Sequence, residues 1–205
     1  MRTSSFRFFA ARVIVALTPF MLLIALAIAG CDRRHPPGRI APETPLQTAV
    51  ESGAPHHVHG EYDVTPLVHF HITARVLSAT RYRGDRESQL APVDLAMGWG
   101  PMSDSAVLDH LSISQMARYY VWSARELPIE QDDIEAFSAN MHIIPADAGV
   151  RTALLSVRKG DVVTIDGDLV QVTAPDGWAW ASSLTRLDTG DGACELIWAE
   201  TLEVH

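Results

Sequence analysis

From Val68 to Val76 the chain alternates without a break. Val68, Phe70, Ile72, Ala74 and Val76 are apolar, and His69, His71, Thr73 and Arg75 between them are polar. A period of two sends the two sets to opposite faces of an extended chain, so this segment predicts a half-buried strand and a sheet with one face toward a core. A second strand is expected over Val93–Met97, ending at the Gly98-Trp99-Gly100-Pro101 turn, and the aromatic run Arg118–Trp122 is β-prone. Near the C-terminus, Asp166-Gly167 between Asp161–Ile165 and Asp168–Val172 reads as a two-residue hairpin turn. Pro175-Asp176-Gly177 then turns the chain into Trp178–Ser183, a loop follows over residues 187–192, and Ala193–Val204 supplies a last strand. Three helices fit between these strands. Ser103 or Asp104 caps a short one through Leu111, Pro128 opens one to about Phe137, and Asp147 to about Val157 presents Val150, Leu154 and Val157 on one side.

This pattern predicts a mainly β domain with a few helices (α+β), folded as a small β-barrel. The run Lys-Gly-Asp-Val-Val-x-Ile-x-Gly from Lys159 resembles the central hairpin of oligonucleotide/oligosaccharide-binding barrels, and the resemblance implies that version of the barrel.

The N-terminus carries a different signal. Arg2, Arg7 and Arg12 precede an apolar run from Val13, which closes on Ile28-Ala29-Gly30-Cys31. A basic start, a hydrophobic stretch and small residues before a cut read as a secretory signal over residues 1–30. The small-small-Cys ending resembles the lipobox of bacterial lipoprotein precursors. That resemblance implies a diacylated Cys31 as the first residue after cleavage, a membrane partner reached through lipid, and exposure to the periplasm. Asp32 directly after the Cys favours the inner membrane by the sorting rule of that family. Pro36, Pro37, Pro42, Pro45 and Pro55 punctuate residues 31–61 with no apolar periodicity, so this stretch is expected as a tether and 62–205 as one globular domain. Segments such as Ser138-Ala139-Asn140-Met141-His142-Ile143-Ile144-Pro145-Ala146 and Ala193-Cys194-Glu195-Leu196 resemble conserved envelope proteins of Gram-negative bacteria, a similarity that implies location and no activity.

Composition narrows the partners. Residues 1–30 hold three of the sixteen basic residues and no acidic ones, so thirteen basic face twenty-five acidic residues after cleavage, a net charge of −12. Such a chain lacks the basic patches that neutralise phosphate, which excludes nucleic acid as the expected partner. The expected partner is an envelope protein or the cell wall. Only Cys31 and Cys194 are present, so with Cys31 acylated no disulfide framework is expected.

Three sets of residues are candidate sites. Trp178 and Trp180 lie two apart in one predicted strand and so share a face, a platform for a sugar or peptide. His56, His57 and His59, with His69 and His71 two apart on the first strand, form a possible zinc or copper site, since imidazoles at i and i+2 point the same way. Cys194 with His142 and Arg186 supplies the parts of a thiol nucleophile, base and anion-binding cation. Their order faintly resembles sortases, although those enzymes carry an Arg after the Cys and here Arg186 precedes it. The alternation Cys194, Leu196, Trp198 sets the thiol on an apolar face, which predicts a packing role instead.

Overall fold

The computed structural model describes residues 32–51, 53–185, 190 and 192–205. The signal segment, Cys31, Arg186 and most of the loop over 187–192 lie outside the described residues. Ten strands are described, β1 (Leu46–Ala49), β2 (His57–His59), β3 (Tyr62–Arg81), β4 (Val93–Gly98), β5 (Leu111–Met116), β6 (Tyr119–Ala124), β7 (Ser138–Pro145), β8 (Val162–Thr173), β9 (Ala179–Ala181) and β10 (Glu195–Val204). Between them lie the helices α1 (Glu87–Leu90), α2 (Ser105–Leu108), α3 (Gln131–Ala136) and α4 (Ala148–Ser156). No helix among the described residues is long and apolar enough to cross a membrane.

Five strands close into a ring in the order β3-β4-β7-β10-β8, with β8 returning to β3. All neighbours are antiparallel except β7 and β10, which run parallel. With α4 inserted between the third and fourth barrel strands, this is the connectivity of the oligonucleotide/oligosaccharide-binding barrel, a five-stranded Greek-key ring. The mainly β, barrel-forming expectation holds, including its preferred version.

Closure dictates the core. Phe70, Ile72, Ala74 and Val76 point inward from β3, as the alternation requires, and meet Leu95 and Met97, Met141 and Ile143, Val163 and Ile165, and Ile197. Val150 and Leu154 of α4 plug one end of this interior. That helix starts where expected because the Asp147 carboxylate accepts from the Val150 amide at 2.9 Å. Asp104 caps α2 in the same way through Ala106.

Two expectations are corrected. Asp166-Gly167 is not a turn, because β8 runs through it from Val162 to Thr173. A Cβ on Gly167 would stand 1.9 Å from the Trp198 carbonyl oxygen, at the point where β10 bulges between Ala199 and Thr201. The glycine serves close approach of two backbones, not chain reversal. The second correction concerns the Pro-rich stretch expected as a tether over 31–61. From Asp32 it packs along the barrel: Arg33 pairs with the buried Asp161 at 2.9 Å, the Ala41 carbonyl accepts from the Gly100 amide while its amide donates to the Ser103 hydroxyl, and β1 and β2 pair with β3. The folded body therefore begins at Asp32 rather than residue 62. The prolines are tolerated because Pro36, Pro37, Pro42, Pro45 and Pro55 all lie outside β1 and β2, so no ladder hydrogen bond is lost. Pro66 fits the same rule, sitting at a bulge of β3 against β8.

Candidate functional site

The outer face of β4 and β7 carries the most elaborate polar construction among the described residues. On β4 the residues Val93, Leu95 and Met97 point into the barrel, so Asp94 and Ala96 point out. Asp94 is nevertheless fully buried, because the hairpin of β5 and β6 lies over this face. One face of that hairpin (Leu111, Ile113, Tyr120, Trp122) packs on Leu77, Ala96, Met102 and Ile134. Polar contacts lock it down. Gln115 donates to Asn140 Oδ1 at 2.6 Å, and the Tyr120 and Ser138 hydroxyls meet at 2.7 Å. Burial pushes the Tyr120 hydroxyl pKa up.

At the tip of the hairpin Ala117 and Arg118 both adopt left-handed backbone, φ 50° and 66°. This is the primed turn that matches strand twist, ordinarily built from Asn and Gly, and a side chain there costs about 1–2 kcal/mol per residue. Arg118 is held in it from every side. Its amide donates to the Tyr82 hydroxyl at 3.1 Å, and its carbonyl accepts from Asn140 Nδ2 at 2.9 Å. Its guanidinium reaches Asp94 at 3.0 Å and Asp85 at 3.2 Å, lying over the Tyr82 ring at 4.4 Å. Strained backbone persists only where surrounding contacts over-determine it, and such places cluster at functional sites.

His142 projects from β7 onto the same carboxylate, its Nδ1 3.0 Å from Asp94 Oδ1 but outside hydrogen-bond direction. Its ring packs against Trp180 at 4.8 Å. Cys194, just before β10, places its sulfur 3.8 Å from Asn140 Nδ2 and 3.9 Å from the Arg118 carbonyl. Trp178, Trp180, Tyr119, His142 and Cys194 together line a cleft of about 340 Å³. A second cleft of about 330 Å³ continues from Tyr119 and Cys194 between β6 and the residues Gly190, Ala193 and Glu195, with Val121, Trp122 and Asn140 in its walls.

Several expected site residues thus come together. Trp178 and Trp180 share a face, their rings 6.2 Å apart, but one face of each is already covered: Arg86 lies over Trp178 at 4.6 Å, and His142 packs on Trp180. His142 and Cys194 share the cleft wall, while Arg186 lies outside the described residues. The thiol does not sit in the barrel core as its alternation implied. Leu196 and Trp198 are on the outside of the barrel, where a separate apolar layer covers them, while Ile197 and Ala199 face the interior, so both faces of β10 are apolar. Asp94, Arg118 and Asn140 were missed by sequence reasoning. The available signal was Asp94 itself, a lone charge inside the apolar run Val93–Met97; nothing in Met116-Ala117-Arg118-Tyr119 announces the turn.

The five candidate histidines lie outside both clefts, on β2, on β3 and just before β2, and the structure does not gather them all. His56 pairs with Asp63 at 3.0 Å and His71 with Asp166 at 2.6 Å. His59 meets the Trp198 ring edge-on, while His57 stacks on it at 4.7 Å. His57 and His69 converge on Asp168. The chain does fold back at Gly60, whose left-handed φ of 65° joins β2 to β3.

No protein-family model, curated protein or solved structure matches this chain.

Proposed function

We propose that this chain is a lipid-anchored envelope protein, held at the periplasmic face of the inner membrane through Cys31, whose barrel binds an extended segment of a protein partner along β6. The lipobox-like ending at Cys31 supports the anchor, since two acyl chains give durable membrane attachment. One observation carries the binding reading. Among the described residues β6 pairs in a sheet only with β5, and its other side borders the cleft that Gly190 and Ala193–Glu195 also line. A strand edge bordering a groove is the setting for strand addition, in which main-chain hydrogen bonds give affinity and alternate side chains give specificity. The β6 rim is apolar: Tyr119 is 42% exposed and Val121 50%. Apolar rims of this kind fit protein partners. A sugar platform on Trp178 and Trp180 is less favoured, because Arg86 and His142 already occupy one face of each ring. An enzyme reading through Cys194 and His142 has weaker support, because the His142 ring is buried between Asp94 and Trp180. Fold alone does not decide function, so the reading stands on these residues.

The test is panning of a random dodecapeptide library on immobilised residues 32–205. Binders with alternating apolar residues are expected, and Val121→Glu should weaken them about tenfold or more, equivalent to about 1.4 kcal/mol. Leu46→Glu, on β1 away from the cleft, should leave them unchanged. Binders indifferent to Val121→Glu would overturn the reading.

A further inference from the structure

Outside this cleft, β2, β8 and β10 bring three metal-ligating side chains to one point, and we propose that His57, Asp168 and Glu200 form a zinc site. The ligand atoms of these residues all lie within 4.8 Å of one another. His57 Nε2 is shielded from solvent, has no hydrogen-bond partner among the described residues, and stands 3.5 Å from Asp168 Oδ2. A tetrahedral zinc ion with bonds of about 2.0–2.1 Å holds its ligands about 3.4 Å apart, which matches that separation. One imidazole and two carboxylates are a hard-to-borderline N/O set, suited to zinc, and two negative charges balance the ion. A fourth position remains for water.

The fold fixes each ligand separately. Stacking on Trp198, at 4.7 Å and 9° between planes, holds the His57 ring. His69, directly opposite Asp168 in the β3–β8 ladder, holds Asp168 Oδ1 at 2.7 Å and leaves Oδ2 for the site. This is the second-layer contact that orients a metal-binding carboxylate. Glu200 owes its place to the bulge in β10. Ala199 pairs with Gly167 and Thr201 with Asp166, so Glu200 is the extra residue with no partner across. A bulge re-aims side chains in this way. Ala199 points into the core and the Thr201 hydroxyl lies 3.5 Å from the outward Asp166, so Glu200 and Thr201 both face out. The same crowding that requires Gly167 thus builds the third ligand. His71 has its own partner in Asp166 and stands outside the site.

Tag-free residues 32–205 titrated with zinc chloride by calorimetry provide the test, with cobalt(II) absorption reporting the geometry. One equivalent is expected to bind at micromolar concentration or tighter, with cobalt giving the intense visible bands of a tetrahedral site. Glu200→Gln, an exposed and isosteric change, should weaken binding tenfold or more. His57→Ala should weaken it further, and His69→Ala by about 10–100-fold as expected for a second-layer partner. His71→Ala should leave it unchanged. Far-UV circular dichroism without zinc checks that each variant is folded. Absence of binding at 1 mM zinc, octahedral cobalt bands, or equal loss in His71→Ala and Glu200→Gln would overturn the proposal.

Discussion

Replacing Arg118 by Met isolates the interaction on which the cleft depends. Asp94 is fully buried and Arg118 keeps only 14% of its side chain exposed, so their 3.0 Å contact lies in a desolvated environment. Met retains most of the apolar stem but deletes the guanidinium, and with it the charge and the contact over the Tyr82 ring. Asp94 Oδ2 already lacks a hydrogen-bond partner among the described residues, so the carboxylate would be left with His142 alone. Breaking a buried pair from one side costs about 3–5 kcal/mol. For a body of this size each kcal/mol lowers the melting temperature by about 2–4 °C, so Arg118→Met should melt about 6–20 °C below the parent. Asp94→Asn alone should also destabilise, by removing the same charge pair. Combined with Arg118→Met it should cost less than the two singles together, with a coupling of about 1–3 kcal/mol. Urea denaturation of the four proteins at neutral pH gives the cycle. A cost for Arg118→Met below about 1 kcal/mol, the value of a solvent-exposed pair, would refute the reasoning, as would strict additivity.

Other outcomes follow from the same contacts. Gly167→Ala drives a methyl into the Trp198 carbonyl and should cost about 2–3 kcal/mol by urea denaturation, whereas a neutral result would mean the strands separate freely. Hydrogen bonds from Arg86 depress the Asp176 pKa to about 2. Because the folded value lies below the ordinary one near 4, the pair's contribution is present above about pH 4 and lost as pH falls through 2. The melting-temperature gap between the parent and Asp176→Asn should therefore be wide at pH 6 and much narrower at pH 2; an equal gap at the two pH values would contradict this. Mass spectrometry of the membrane fraction should find acyl groups on an N-terminal Cys31, and Cys31→Ser should accumulate as an unlipidated precursor.

The barrel was legible in the sequence where a strand keeps one face in the core. Val68–Val76 reads correctly because its inward set is apolar and its outward set polar. Helix α4 reads correctly because Asp147 caps it and Val150 and Leu154 face the interior. The reading failed where a local signal served a tertiary purpose. Asp166-Gly167 has turn chemistry, yet the glycine is needed for contact with β10, which is more than thirty residues away. The Pro-rich stretch has linker chemistry, yet its partners are groups of residues 100–103 and 159–161, far along the chain and invisible to any local pattern. Half of the polar cleft was recoverable, as Trp178, Trp180, His142 and Cys194 were singled out. Arg118 was not, because its importance lies in a left-handed turn that Ala and Arg do not advertise. Likewise His57 and His69 were flagged, while Asp168 and Glu200 enter the cluster only through strand register and a bulge.

Hydrogen exchange of residues 32–205, with and without a peptide obtained by panning, tests the binding reading most directly. Amides of β6, with those of 193–195 across the groove, should exchange more slowly when peptide is present, while β2 and β8 stay unchanged. Unaltered exchange in β6, or protection confined to the Trp178–Ala181 segment, would contradict strand addition at this edge.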